Sequence, residues 1–582
     1  MPGLVGINVG GAYVVRPGVS TQIDASAMAP NRPGPLAVAG VVGPADGGIP
    51  GTVQEFRSYA EAASALRGGA ILSHLRRIFT PSPDIPGAWL VRFTRIGAPT
   101  QAVSVAALAG IDYTARDYGR HTNGISIQVA ANATYGWDVT VRKRGDAYSR
   151  AYTVGPAIEA LSSATTPKLT FDHTLRRVTM TENAVAVSVL DYPTDFVTLI
   201  NLISWIKGRA GWDAKIKTGG DPSMPLIYMD NPVAGLAITA GFVAVPANQG
   251  MLIWKVAGLD TQVTAALDTG TVYTVLSVVA ETYLTTGSGT ANDVFSNSDW
   301  TAGLGVLATA DVQNLFLATS DATVQGLAYQ HTLDSRTVTR KRYRIYFTGG
   351  AAAATSSAAI AAVPGFDGPC VYCWNGTYDY NPINGVPENL GGLGVAAQMA
   401  GMACGTFASE PLTNKALIST RLEFPNPTDT EIDNCLIAGV TPVALDPVTG
   451  RATIVQALTT WQGGSNASFR KLQGLRIQDE IHKGFQRILG RFIGYPLDLT
   501  TGMMIRGECA KFLDQSIRSG QNPGGFLTPG YANGSEIPAW TGLSVTGDGI
   551  DLWDISVEAH PVGETDYIRV SVKLTPVPIA LT

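Results

Sequence analysis

The 582-residue chain is poor in charge. Asp, Glu, Lys and Arg make up only 15% of it, against 45% hydrophobic residues, and 41 basic and 46 acidic side chains leave a formal net charge of −5. A balance of that sign and size gathers no nucleic acid, although local patches remain open. Histidine is scarce as well. His74, His121, His173, His331, His482 and His560 stand in no H-E-x-x-H or other ligand spacing, so zinc hydrolysis has no support. The 5 cysteines are odd in number and spread along the chain, which is not a secreted disulfide framework. Cys370 and Cys373 form a single C-x-x-C without a second pair, and their reading as ordinary thiols outweighs a metal or redox role.

Catalytic and nucleotide motifs are missing too. The chain has no G-x-x-x-x-G-K-[ST] and no G-x-S-x-G. The glycine-rich turn in "VVGPADGG" lacks the G-x-G-x-x-G spacing and reads as a plain turn. Asp172 and His173, adjacent on a strand, point to opposite faces and read as exposed polar surface. Asp479 and Glu480 read as a solvated helix face. With no catalytic constellation, the expectation is a non-enzyme without metal or cofactor. Long apolar runs are also absent. The most apolar window, 235–259, is broken by Pro246, Asn248, Gln249 and Lys255 into pieces too short to span a bilayer, and reads as buried strands joined by a turn. The opening "MPGLVGINVGGAYVVRPG" is not read as a signal peptide, and a soluble protein made inside the cell is expected.

What the chain does have is small residues, 65 glycines among them. Low charge and small side chains suit a protein that buries much of its surface, in itself or against copies of itself. Single cores stop growing at roughly 250–300 residues, so several domains are expected. The predicted fold class is mixed α/β and multidomain. Residues 1–25 read as an arm, with a short β-prone run at Tyr13, Val14 and Val15 interrupted by Pro17 and Gly18. Leu36, Val38, Val41 and Val42 predict a buried strand. Residues 53–79 are helical in character, with Phe56, Tyr59, Ala63 and Leu66 along one stripe, and Trp89–Phe93 reads as a strand.

From about residue 111 the texture is mainly β, returning at "TDFVTLINLISWIKGRAGWDAKI" to helix and then strand. Two further helix–strand pairs come between 298 and 349, and the small-residue run Ala351–Gly365 reads as either a linker or a closely packed helix. Thr428 and Glu431 form a capping box, with Ile432, Cys435 and Leu436 inward and Gly439 as the stop. Residues 475–493 form a long amphipathic helix with Ile477, Ile481, Phe485, Ile488 and Phe492 on its apolar stripe. Lys483, Arg487 and Arg491 stand one turn apart on another face. They read as a solvated face or as a contact to an acidic partner surface. Near the end, "DYIRVSVKL" alternates Ile568, Val570, Val572 and Leu574 against polar residues, the pattern of a half-buried strand. Its partner strand is not evident from the sequence.

The final third resembles the tail sheath proteins of contractile phage tails and related injection machines. The residues that carry the resemblance run in family order: the small-residue segment "PENLGGLGVAAQMAGMACG", the turn Leu412-Thr413-Asn414-Lys415, the strand end Thr459-Thr460-Trp461, the Arg-x-x-Asp pair Arg476 and Asp479, and Phe492-Ile493-Gly494. The similarity is specific from about residue 385 to 520, looser elsewhere, and thin between about 233 and 350. It implies a nested organisation: 1–25 an arm for strand exchange, 26–110 and 221–380 a middle α/β domain, 111–220 an outer mainly β insertion, 381–565 an inner tube-facing domain built together with the N-terminal arm, and 566–582 a C-terminal arm. It further implies six-fold rings stacked helically around a tail tube, joined by strand exchange through Tyr13, Val14, Val15, Pro17, Ile568, Val570, Val572 and Leu574. Lys483, Arg487 and Arg491 become tube-facing candidates. The implied partners are the tail tube, baseplate and tail terminator proteins, with no nucleic acid and no membrane insertion, and the implied location is a virion tail assembled in the bacterial cytoplasm. A tailocin or other injection-system sheath, a static lattice protein, and an α/β enzyme with a dispersed site are the alternatives.

Overall fold

The computed structural model describes residues 37–564 apart from 146, 193–196, 231–234, 269–275, 338, 383, 420, 462–466, 533–534 and 549–551, together with two strands near the start. Those strands, Ile7–Val9 and Ala12–Val14, lie in a separate unit, Met1–Leu36, and pair antiparallel with Asn8 opposite Tyr13. Val15, Pro17, Ile568, Val570, Val572 and Leu574 lie outside the described residues.

The second unit, Ala37–Thr582, is organised around one large sheet. Its strands in chain order are β1 (Ala39–Gly43), β2 (Val53–Phe56), β3 (Val91–Arg95), β4 (Asn314–Leu317), β5 (Ile345–Gly349), β6 (Cys370–Trp374), β7 (Val440–Leu445) and β8 (Ala452–Ile454). Across the sheet they run β8-β7-β6-β5-β4-β1-β3-β2. The inner strands are parallel, and each edge strand is antiparallel to its neighbour. Parallel strands covered on both faces have no polar side to show, and β1, β4, β5 and β6 are buried at every position.

Helices α1 (Tyr59–Leu66), α2 (Ile71–Phe79), α3 (Asn297–Leu307), α4 (Ala322–Ser335), α5 (Gly391–Gly405) and α6 (Asp429–Ala438) form the covering layers. One face packs on α1, α2 and α5, the other on α3, α4 and α6. The segment 53–79 is thus a strand and two helices rather than one helical stretch. Phe56 belongs to β2, and Gly69, at φ +103°, breaks the helix where α1 gives way to α2. The run Ala351–Gly365 resolves as a helix, Ser356–Ala362, capped by the Thr355 hydroxyl. Helix α5 is buried from Gly391 to Cys404. Its small residues let backbone approach backbone: a Cβ on Gly401 would stand 2.3 Å from the Ile78 carbonyl oxygen, and one on Gly392 2.5 Å from that of Cys373.

A second core gathers residues from Ala102 to Leu284. It is built from short antiparallel strands, such as the meander Ile125–Asn132, Gly136–Lys143 and Ser149–Val154, and two helices, Leu199–Lys207 and Asn248–Leu259. Residues 236–283, expected in the middle domain, pair with this β body through Leu236–Ala237, Val243–Val245, Val263–Leu267 and Val279–Tyr283. The apolar window 235–259 is correspondingly strand only in its first half. Its second half is helical because buried Asp230 accepts from the Asn248 backbone and amide at the helix start. The chain enters and leaves this body through a two-stranded neck, Thr100 opposite Ser288 and Val103 opposite Thr285. Buried Arg95 spans its root, donating to the carbonyls of Asp46, Gly48, Tyr118 and Gly289. No helix among the described residues is long and apolar enough to cross a membrane.

Much of the sparse basic charge seals helix ends. The last carbonyls of a helix have no internal partner, and guanidinium groups fill that need repeatedly here. Buried Arg344 donates to Leu307, Ala308 and Ala310 at the end of α3. Arg470 donates to Leu436 and Ile437 at the end of α6, and Arg116 to Val256 and Ala257 at the end of Asn248–Leu259.

Candidate assembly site

The residues singled out in the last third converge on one long helix, α7 (Leu472–Leu489), and on the elements C-terminal to it: α8 (Leu499–Gln515) and the ribbon β9 (Trp540–Gly547) and β10 (Trp553–Ala559). Helix α7 starts three residues earlier than the apolar stripe indicates. It ends at Leu489, succeeded by a 3-10 turn over Gly490–Phe492 and by Gly494 at φ +90°.

Thr459 and Thr460 are fully buried ahead of it. The Thr459 hydroxyl donates to Phe469 O at 2.6 Å, and the Thr460 hydroxyl to the carbonyl of Phe366. The backbone N–H of Thr460 reaches Cys370 O at 2.8 Å, tying this strand end to β6, and Trp461 stands edge-on to Phe469 at 5.4 Å. Both threonines thus serve as internal fasteners, their buried hydroxyls paired with carbonyls.

Arg476 and Asp479 sit one turn apart on α7 and reach in two directions. Arg476 donates to Ala403 O at 3.0 Å, Thr406 O at 2.8 Å, Thr406 Oγ1 at 3.0 Å and Glu410 O at 3.1 Å, closing the end of α5. Burial lowers its pKa to about 10, which leaves it charged near neutrality. Asp479 takes both arms of Arg336, at 2.6 and 2.8 Å, and Arg336 caps α4. Burial lifts the Asp479 carboxyl above its ordinary range while the Arg336 charge opposes the shift. Asp479 is therefore a buried ion-pair member and not part of a solvated face. Arg336 and Arg470 are invisible as partners in the sequence, where nothing marks which helix end a guanidinium will reach.

The basic row divides. Lys483 is half-buried near Glu480, Asp311 and Asp479, and burial lowers its pKa. Arg491 pairs with Glu508 of α8 at 2.7 Å and lies over the Phe492 ring. Arg487 is exposed and makes no ion pair among the described residues. The turn between α7 and α8 and the start of α8 are apolar instead: Ile493 is 84% exposed, Leu499 81% and Met503 67%. Patches of this kind mark contact surfaces.

The ribbon packs one face on α8. Leu543, Val545, Trp553, Ile555 and Val557 meet Ile505 and Cys509, while Asp554, Ser556 and Glu558 face out. Trp553 fits over Gly502, where a Cβ would be 2.7 Å from the ring. Among the described residues β9 pairs only with β10, so both outer edges of the ribbon present backbone donors and acceptors without a strand partner.

Other candidate chemistry dissolves into packing. All five cysteines are free and buried, and Cys370 and Cys373 lie on β6. No cluster of three metal-ligating side chains occurs among the described residues. The amides of the "VVGPADGG" turn are taken by Leu66, Gly68 and Asp117, which makes it a plain turn. His173 is buried rather than surface-exposed, between the Tyr192 hydroxyl at 2.8 Å and Met229 O at 2.6 Å.

The chain is 24% identical over 537 residues to the tail sheath protein of Bacillus phage SP01, covering 88% of this chain and 90% of that protein. The chain is similar to phage tail sheath proteins over most of its length. Two solved sheath tail proteins share its fold at 14% identity. That of Listeria innocua matches with a TM-score of 0.54 over 92% of this chain and 94% of its own, and that of Desulfitobacterium hafniense with 0.51 over 93% and 100%. No family model matches the chain. In this chain the small-residue helix, the buried threonines and the Arg-x-x-Asp pair are packed into the framework, while the α7–α8 turn is exposed.

Proposed function

We propose that the chain is the structural subunit of a contractile phage tail sheath, polymerising as stacked hexameric rings around the tail tube and contracting to drive the tube through the host envelope. The observation that carries this reading is the β9–β10 ribbon, which has an apolar face seated on α8 and, among the described residues, no strand paired to either outer edge. Strand addition to such an edge supplies backbone hydrogen bonds independent of side-chain packing, and suits a joint that must persist while bodies slide. The strand with Ile568, Val570, Val572 and Leu574 has the alternation that would continue the ribbon's apolar face, and Tyr13, Val14, Val15 and Pro17 supply the other donated arm. The tail tube meets the subunit along α7, where Arg487 and the apolar turn at Ile493 and Leu499 are exposed, with Lys483 and Arg491 in supporting positions.

On this reading residues 1–25 and 566–582 are connecting arms, and 26–110 with the segment after the neck up to about 380 a middle domain that shares its sheet with β7 and β8. The β body including 236–283 is an outer insertion, and the C-terminal part around α7, α8 and the ribbon is the tube-facing part. The subunit is no enzyme and needs no cofactor. Its partners are further copies, the tail tube, the baseplate and the tail terminator, in a virion tail assembled in the host cytoplasm. Contraction is a change between two packings of one chain, with a few kcal/mol per subunit summed over a coupled array. Negative-stain electron microscopy of the recombinant protein tests this. Tubes or stacked six-fold rings support it, while compact monomers at every salt and concentration overturn it. Ending the chain at Tyr567 should leave a folded protein that builds no long tubes.

A further inference from the structure

The Arg-x-x-Asp pair of α7 has no reaction to serve, yet it places two charges in the interior. Buried ion pairs seldom repay their desolvation in stability; what a bidentate pair does supply is direction. The direction here concerns a joint. The end of α7, α8 and the ribbon carry small cores of their own, around Ile505 and Cys509 and around Leu513 and Leu527. Only Leu472 and Leu475, in the first turn of α7, belong to the core of the large sheet.

The remaining described seat of this C-terminal module is narrow and mostly polar, with one aromatic contact where His482 of α7 stacks on Tyr343 at 4.5 Å. Gln473 Nε2 donates to Ser409 O at 2.7 Å and Arg518 to the same oxygen at 3.3 Å, while Gly524 lies under the Phe407 ring. Arg476 adds its bonds to Ala403, Thr406 and Glu410 in that same stretch. On the other side stands the Arg336–Asp479 pair. One anchor would leave α7 free to roll about its axis. Two anchors one turn apart, one to the end of α5 and one to the end of α4, fix both its tilt and its roll.

We infer that Arg476 and Asp479 are positioning residues that set the angle between the sheet body and the strand-accepting ribbon. The inference takes from the proposed function only the ribbon's part as strand acceptor. It assigns the pair to the geometry of assembly, since neither residue touches the ribbon.

The buried native thiols allow a direct measurement, because cysteines introduced at exposed positions label selectively. With nitroxides on D433C of α6 and R506C of α8, the full chain should give one narrow electron–electron distance distribution. In R476Q and in D479N the distribution should broaden or split, while binding of a synthetic peptide of residues 566–582 is retained, and tubes should lose their regular pitch. The exchange R336D with D479R should restore the narrow distribution, which a merely destabilising change would not do. The same narrow peak in both single variants overturns the inference, as does failure of the exchange to rescue. If the peptide does not bind even the unaltered chain, the acceptor role of the ribbon falls, and the distance measurement still decides whether the pair sets the angle.

Discussion

Gly484 of α7 lies directly beneath the ring of Phe512 on α8: a methyl group there would stand 2.1 Å from Cζ and 2.4 Å from Cε2. The ring has no room to swing, being edge-on to Phe485 at 5.2 Å and tilted against Phe526 at 6.3 Å. Gly to Ala in a helix interior ordinarily stabilises by up to about 1 kcal/mol. G484A should instead destabilise the C-terminal module by about 1–3 kcal/mol through overpacking. Hydrogen exchange should quicken in α8 and β10 and stay unchanged in β4, β5 and β6.

Lys483 and Arg487 stand one turn apart but face different surroundings. K483E would add a carboxylate beside Asp479, Glu480 and Asp311 and should cost about 2–4 kcal/mol in urea unfolding. R487E, on an exposed position, should stay within about 0.5 kcal/mol. If R487E nonetheless abolishes co-sedimentation with purified tail tube, Arg487 is a contact; unchanged co-sedimentation returns it to solvent.

Two histidines, His74 buried and His331 half-buried, give the fold an acid sensitivity. Burial lowers the pKa of His74 to about 4, and burial beside Arg344 lowers that of His331 to about 4. Unfolded, each takes a proton near pH 6.5, so below that value the unfolded chain holds more protons and stability falls until about pH 4. At pH 5 each histidine should account for a loss of about 2 kcal/mol. Asp230, raised by burial to about 6, works in the opposite sense over part of the same window. Urea midpoints at pH 7 and pH 5 should differ, and H74F should narrow the difference.

The thiols should be inert in the native protein. All five are buried, and burial pushes Cys404 and Cys435 up to about 12 and Cys509 to about 11. A thiol reagent should label the chain only under denaturing conditions, and non-reducing electrophoresis of assembled particles should show single chains. Native labelling at Cys435 or Cys509 would show α6 or α8 opening away from its packing.

Part of the large sheet is legible in the sequence, as at β1, β4 and β5, because those strands are buried on both faces. Helix α6 is legible because it carries its caps, Thr428 with Glu431 and Gly439 at φ +80°. By contrast, β2 reads as helix and β6 shows only its C-x-x-C. Where the signal is local, it can be read. The window 235–259 reads as strand throughout, yet ends in a helix, because the start of that helix is satisfied by Asp230 from outside the window. Asp479 reads as solvated because its partner lies 143 residues earlier. Only the family resemblance marks Arg476 and Asp479 as worth attention, and it supplies no reason for them. That reason lies in the carbonyls at the end of α5 and in the Arg336 guanidinium at the end of α4, which no periodicity announces.

Helix α5 has almost no side chains to rearrange. Where backbone meets backbone, as at Gly401 against Ile78, there are no rotamers to yield, so α2, α5 and the sheet should respond to force as one stiff slab. The neck at Thr100–Ser288 and Val103–Thr285 is held by two bridges and by Arg95. A sideways push on the β body should therefore bend the subunit at the neck, leaving the slab and the β body as two stiff parts about one compliant joint.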